Sequence, residues 1–230
     1  MSSLSVIVPV YNEENFLEAS LERLLDSGVA SQIIISDDGS TDNSIKIAEH
    51  YSERYDHVHL ILSQENGGKG AALNRVKNII TSEFVTIHDS DLEYFPEDLI
   101  PMYSKVKEYP ESLIIGSRFI GSLERNNIYV RTDIANRFIS LFFSLVHQKR
   151  ITDIATCYKM MSNENFQRIE LLEKGFSIEI EIVAKYLKTN RLVYEVPIRY
   201  HGRSYEEGKK ITTVDGFKYL YNTLKYKIYS

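Results

Sequence analysis

The densest chemistry in the chain lies at residues 84–96, Phe-Val-Thr-Ile-His-Asp-Ser-Asp-Leu-Glu-Tyr-Phe-Pro. Phe84 to Ile87 form a short β-branched and aromatic run that reads as a buried strand. Asp89, Asp91 and Glu93 alternate just beyond it, and alternate residues of an extended backbone point the same way. Three carboxylates on one side suit Mg²⁺ or Mn²⁺ whose other ligands are phosphate oxygens and water. Solvated acids in a loop are the competing reading, since Asp-x-Asp alone is a common pattern. The neighbouring chemistry favours the metal.

Cations able to meet an anion on such a metal are Lys69, Arg118, Arg131, Arg203, Lys209 and Lys210. Arginine grips phosphate bidentately, whereas lysine acts as a point charge. Arg118 directly follows the strand-like Leu113–Ser117. Arg199, Arg203, Lys209 and Lys210, with Gly202 and Gly208, suggest a flexible flap over an anion. Gly68-Lys69-Gly70-Ala71-Ala72-Leu73 comes near a dinucleotide fingerprint, but Leu73 replaces its last glycine and a third strand precedes it. No Gly-x-x-x-x-Gly-Lys-Ser/Thr is present. Backbone amides at that helix start remain available to a phosphate. His88, His201 and Cys157 read as packing or hydrogen-bonding residues.

The elements that must position these groups alternate. Strands are expected at Leu4–Val10, Gln32–Ser36, Val58–Leu62, Phe84–Ile87 and Leu113–Ser117. Helices are expected from Glu13 to Gly28, Ile45 to about Tyr55, Ala71 to Ile80 and Pro96 to Glu108. That alternation predicts βαβ units and a mostly parallel sheet. Tyr11–Glu13, Asp37–Asp38 and Asp89–Asp91 each follow a strand, so all three belong at its carboxyl edge, where open α/β sheets bind ligands.

From Asn127 the pattern changes. Ile134, Phe138, Leu141, Phe142 and Leu145 mark one helical face, with Ile139, Phe143 and Val146 on other sides. Residues 138–146 are therefore either a buried core helix or dimer contact, or an interfacial helix on a membrane. Helices are also expected at Glu164–Glu173 and Phe176–Leu187. Leu192–Tyr200 reads as a late strand, and its Pro197 implies an edge. A last amphipathic helix uses Phe217, Leu220, Tyr221, Leu224 and Ile228.

The totals bound the class. With 230 residues, 43% hydrophobic and 26% charged, the chain has the size of one large α/β domain. A net charge of −5 argues against a nucleic-acid partner held by bulk positive charge. The single cysteine, Cys157, excludes an intrachain disulfide and a Cys-based zinc cluster and fits a reducing cytoplasm. No signal-type segment opens the chain, and no apolar run approaches the roughly 20 residues of a membrane-spanning helix.

Val-Ile-Val-Pro-Val-Tyr-Asn-Glu-Glu (6–14), Ile-Ile-Ile-Ser-Asp-Asp-Gly-Ser-Thr-Asp (33–42), Asn-Gly-Gly-Lys-Gly-Ala-Ala (66–72) and Asp-Ser-Asp-Leu-Glu (89–93) resemble the family 2 inverting glycosyltransferases. Gly-Ser-Arg-Phe (116–119), Asp-Ile-Ala-Thr-Cys-Tyr-Lys (153–159), Gly-Phe-Ser-Ile-Glu-Ile-Glu (175–181) and Glu-Val-Pro-Ile-Arg-Tyr (195–200) are similar to the dolichol-phosphate mannose synthase branch.

The resemblance implies a single GT-A domain, α/β with a Rossmann-like, mostly parallel central sheet and flanking helices. Residues 1–117 would bind the nucleotide sugar and residues 118–230 the acceptor. Pro9, Tyr11, Asn12, Glu13, Asp37, Asp38, Lys69 and Ser90 would surround the nucleotide sugar, with Arg203 and Lys209 steadying its diphosphate. Asp89, Asp91 and Glu93 would hold Mg²⁺ or Mn²⁺, Glu93 standing where relatives often carry Gln. Arg118 and Arg131 would receive the phosphate of a polyprenyl acceptor, which needs little general base. A saccharide or protein hydroxyl acceptor would need one, with Asp153 or Glu179 as candidates. A non-catalytic nucleotide-sugar-binding protein is the third reading. Relatives commonly carry membrane-spanning helices; here the expected membrane contact falls to residues 138–146 or to an anchoring subunit.

Overall fold

The computed structural model describes residues 3–126, 129–203 and 213–229, the side chains of 213 and 214 excepted. The elements run β1 (Leu4–Val10), α1 (Leu17–Ser27), β2 (Gln32–Asp37), α2 (Ser44–Arg54), β3 (Val58–Leu62), α3 (Lys69–Arg75), β4 (Phe84–Ile87), α4 (Leu99–Glu108) and β5 (Leu113–Ser117). They continue with β6 (Arg125–Asn126), α5 (Val130–His147), β7 (Lys159–Ser162), α6 (Asn163–Arg168), α7 (Ile178–Thr189), β8 (Val193–Pro197), β9 (Tyr200–His201) and α8 (Thr213–Ile228).

The large sheet has the order β3-β2-β1-β4-β7-β5-β8. β1 pairs in parallel with β2 and β4, β2 with β3, and β5 with β8. β7 runs antiparallel to both β4 and β5. Consequently β5 and β8 point the same way as β1, β2 and β4, and all five end at one rim. β7 starts there. The mostly parallel sheet is as expected, and β8 with Pro197 lies at its edge.

β1 and β2 are buried on both faces, which explains their near-continuous apolar sequence. Leu4, Val6, Val8 and Val10 pack with α1, α2 and α4 on one side of the sheet. Ile7, on the other face, joins the core of α3, α5, α6, α7 and α8. Of these helices α7 is enclosed on nearly every side, so its Glu179 and Glu181 are buried with its isoleucines.

Several boundaries differ from the sequence expectation. Residues 71–80 divide into the end of α3 and a 3₁₀ turn at Lys77–Ile79, and α6 ends at Arg168 rather than Glu173. The late strand breaks after Pro197, and β9 pairs with β6 as a separate two-stranded ribbon. The outer helices correct the pattern more deeply. In α8, Phe217, Tyr221, Leu224 and Ile228 face outward, while Tyr219 and Tyr226 enter the core. In α5, Ile139 and Phe143 are buried, and Val130, Ile134, Phe138, Leu141 and Leu145 are exposed. No helix among the described residues is long and apolar enough to cross a membrane.

Candidate functional site

A cavity of about 310 Å³ lies at the rim where β1, β2, β4, β5 and β8 end. Of the expected residues, Pro9, Tyr11, Glu13, Asp38, Lys69, Asp89, Ser90, Asp91, Glu93, Arg118 and Arg203 line it. The others stand elsewhere. Asn12 has φ +52, and its side chain accepts from the Thr41 amide at 2.8 Å, stitching two rim loops together. Asp37 is fully buried behind the wall, and its Oδ1 accepts from the amides of Gly39 and Ser40 to form the turn there. Arg131 is exposed on the first turn of α5, outside the lining. Asp153 is buried behind Arg118. Lys209 and Lys210 lie outside the described residues.

The acidic segment is a turn, not an extended strand. Leu92 adopts φ +62, and Asp91 Oδ1 accepts from the Glu93 amide at 3.2 Å. Alternation therefore does not align the acids, and each has its own partner. Asp89 Oδ1 is 2.7 Å from Lys69 Nζ, and Asp91 Oδ2 is 3.2 Å from Arg203 Nη2. Glu93 accepts from Tyr200 Oη at 2.7 Å and from the Arg203 amide at 2.8 Å. Among the described residues no group of three His, Cys, Asp or Glu side chains is arranged to hold a metal ion. Of the three acids expected to hold the metal, Glu93 fastens the start of the 203 segment to the acidic turn.

The electrostatics still call for positive charge. Burial, then Glu93 and Asp89, push Asp91 up to about 8. Burial also opposes ionisation of Asp89, but Lys69 outweighs it and holds that carboxyl below its ordinary value. A divalent ion beside Asp89 and Asp91 would relieve the crowding, so this pair fits a metal. Arg203 also reaches Glu13 Oε2 at 3.3 Å and lies over the Phe16 ring, yet its buried Nε has no hydrogen-bond partner among the described residues. A buried N–H without an acceptor is costly, and a phosphate oxygen in the cavity would satisfy it.

The glycines serve a different purpose from the phosphate contact expected of them. The Gly68 amide donates to Asp38 Oδ2 at 2.5 Å and the Gly70 amide to the Lys174 carbonyl at 3.4 Å. Those donors are occupied. A Cβ at Gly68 would collide with the Lys174 carbonyl, and one at Gly70 with the Glu173 carbonyl. Both glycines let α3 start directly against residues 173–174, which projects Lys69 into the cavity.

Sequence reasoning missed much of the remaining wall, including Tyr94, Thr132, Asn136, Phe176, Tyr200 and Tyr219. Aromatic and small polar residues carry no signal of their own in sequence. The candidate general bases are both engaged. Asp153 is held by Arg118, and the two oxygens of Glu179 by Lys69 and Lys159.

A parallel-sheet rim carrying acids, arginines and one deep cavity defines a class of α/β enzymes that bind nucleotides at that rim. Residues 5–170 match the model of Glycosyl transferase family 2, and the chain belongs to that family. Its fold is GT-A. The chain is 28% identical over 206 residues to glycosyltransferase AglJ of Haloferax volcanii, covering 87% of this chain and 64% of that protein. It is 27% identical over 230 residues to a dolichol-phosphate mannosyltransferase of Pyrococcus furiosus, covering 97% and 64%. A 96-residue stretch is 43% identical to the uncharacterized glycosyltransferase YibD of Escherichia coli, covering 41% and 28%. The chain thus spans less than two thirds of each of these relatives. Among solved structures, glucosyl-3-phosphoglycerate synthase of Mycobacterium tuberculosis in complex with uridine-diphosphate superposes with a TM-score of 0.76 at 16% identity. That match covers 98% of this chain and 80% of the other.

Proposed function

We propose that the protein transfers a hexose from a nucleoside diphosphate sugar to a polyprenyl phosphate at the cytoplasmic surface of a membrane. The donor reading rests on the family and on the cavity. Glu13, Asp38 and Tyr11 line the cavity and would receive the base and ribose, and Arg203 Nε, without a partner among the described residues, would donate to the diphosphate. Asp89 and Asp91 would hold Mg²⁺ or Mn²⁺, in keeping with the Mn²⁺ and uridine-diphosphate held by a solved glucosyl-3-phosphoglycerate synthase of the same fold. Such an ion, when bound, offsets charge growing on the leaving diphosphate.

The acceptor reading is carried by one observation, the apolar outer face of α5 and α8. Val130, Ile134, Phe138, Leu141 and Leu145 form one stripe, and Phe217, Tyr221, Leu224 and Ile228 another, all 47% to 71% exposed. At 3.6 residues per turn, Arg131 and Arg137 flank the first stripe, and Lys218 and Lys227 the second. Basic residues beside an apolar face are the pattern of helices that lie on anionic membranes. Thr132 and Asn136 on the opposite side of α5 line the cavity, so about one helix diameter, roughly 10 Å, separates the stripe from the site. A lipid-linked phosphate fits that arrangement.

The acceptor phosphate oxygen attacks the anomeric carbon as the bond to the diphosphate oxygen breaks, with inversion. The nucleophile is already ionised at neutral pH, so the engagement of Asp153 and Glu179 with cations is no obstacle. For a hydroxyl acceptor it would be one. Radiolabelled nucleotide sugars, uridine and guanosine in turn, incubated with polyprenyl phosphate vesicles and Mn²⁺ provide the test. Label should enter the organic phase; label appearing only on water-soluble saccharide or protein would replace this reading with the hydroxyl-acceptor one.

A further inference from the structure

One row of alternating charge runs from the cavity into the core. Asp89 Oδ1 lies 2.7 Å from Lys69 Nζ, which lies 2.9 Å from Glu179 Oε1. The other oxygen, Glu179 Oε2, is 2.5 Å from Lys159 Nζ. Lys159 is buried at the start of β7 and also donates to the Thr156 carbonyl. Three elements meet at this one carboxylate: α3 through Lys69, β7 through Lys159, and the first turn of α7, which carries Glu179.

Burying Lys159 and Glu179, and partly burying Lys69 and Asp89, costs desolvation that pairing only partly recovers, so the row calls for an explanation beyond stability. Lys69 has two carboxylate partners of different kinds. Asp89 lines the cavity at its accessible end, where a cation can claim it. Glu179 is nearly inaccessible and fixed from behind by Lys159. When Asp89 is claimed, Glu179 alone retains the Lys69 ammonium, whose three hydrogens can point in different directions. The hydrogen that Asp89 releases then faces the cavity.

We propose that Glu179 is a positioning residue for the donor: it holds the Lys69 ammonium at the cavity wall, where Lys69 exchanges Asp89 for a diphosphate oxygen. Lys159 is the buried counter-charge that fixes Glu179. The assignment rests on the cavity being a nucleoside diphosphate site and adds how its lysine is aimed. It replaces the general-base role that Glu179 could have had by residue type.

A double-mutant cycle tests it. Binding of UDP and of GDP, each with Mn²⁺, is measured by titration calorimetry for the wild type, Lys69→Met, Glu179→Gln and the double variant. Loss of a charge-assisted phosphate contact corresponds to about tenfold weaker binding, which is expected for either single variant. The double variant should bind no more weakly than Lys69→Met alone, because Glu179 acts through Lys69. A merely structural Glu179 would make the two losses multiply, and that result would overturn the assignment, as would wild-type affinity in Glu179→Gln. If Glu179→Gln does not fold, Lys159→Met/Glu179→Gln removes the buried pair together. That variant should keep a near-normal melting temperature yet show the same weakened binding; wild-type affinity there would also refute the proposal. A wild type that binds neither nucleotide would reject the donor site itself, a different failure from an absent coupling.

Discussion

Arg118 grips the buried carboxylate of Asp153 through Nε at 2.7 Å and Nη2 at 2.8 Å, and its own amide donates to the same carboxylate at 3.0 Å. The guanidinium forms part of the cavity wall and lies 4.7 Å from the Tyr200 ring centroid. Asp153 thus sets the direction of the one arginine at the end of β5. Removing it strands a buried cation, a change that costs about 3–5 kcal/mol. Asp153→Ala should lose that much in urea unfolding, and Arg118→Leu/Asp153→Leu should recover a large part of it. A wild-type urea midpoint for Asp153→Ala would show that the pair does not secure this rim.

Glu93 joins the acidic turn to the strand that precedes Arg203. Its carboxylate accepts from Tyr200 Oη and the Arg203 amide, and its carbonyl accepts from the His201 amide at 2.9 Å. Glutamine can reproduce the side-chain bonds, by accepting from the amide and exchanging roles with the tyrosine hydroxyl. Alanine cannot. Glu93→Gln should therefore retain nucleoside diphosphate affinity within about threefold, while Glu93→Ala should lose about tenfold as Arg203 loosens, the scale of one charge-assisted contact. Equal losses in calorimetry for both variants would return Glu93 to a role that needs its charge.

The architecture was legible because β1, β2, β4 and β5 are short apolar runs whose polar followers fall at one rim. Tyr11, Asp38, Asp89 and Arg118 could be assigned there from chain order alone. The finer geometry had no such signal. Nothing in Asp-Ser-Asp-Leu-Glu announces that the segment turns from Ser90 onward, with Leu92 in a left-handed conformation, instead of staying extended. The Lys159–Glu179 pair joins residues on β7 and α7, and only their packing creates it. Periodicity marked an apolar stripe on α5 and α8 without saying which side faces the core. Polar and aromatic groups such as Asn136, Tyr219 and Thr223 fill the inward side of these helices, so their leucines could be left outside.

That outward face gives the membrane reading its test. Ile134→Asp, Phe138→Asp and Phe217→Asp place a charge on exposed positions, so each variant should fold within about 0.5 kcal/mol of the wild type. Flotation with phosphatidylglycerol vesicles should fall sharply for each and further in high salt, since anionic lipid attracts the flanking arginines and lysines. Phe143→Asp, buried on the same helix, should unfold the protein instead. Undiminished flotation of the three surface variants would remove the two helices from any account of membrane contact, and a shift from dimer to monomer in sedimentation would assign the face to a second copy.

The junction of the same two helices predicts a dependence on acid. His147, in the last turn of α5, stacks on Phe143 with centroids 4.2 Å apart, and its Nε2 donates to the Thr223 carbonyl at 3.1 Å. Burial pulls its pKa below the ordinary 6.5 despite that bond, and Lys227 on α8, Lys188 on α7 and Arg191 beyond α7 add to the fall. The folded protein therefore resists a proton that the unfolded chain accepts. Stability contributed by neutral His147 is complete above pH 6.5 and declines as the pH falls through the interval down to the depressed native value. His88, buried and held down to about 4, acts with the same sign. Asp91, pushed up to about 8, acts with the opposite sign and offsets part of what the two histidines lose. His147→Gln, which keeps a donor for Thr223 but does not titrate, should therefore gain urea midpoint relative to the wild type as the pH is lowered from 7 to 5. Parallel slopes in the two proteins would mean that His147 protonates as readily in the fold as out of it.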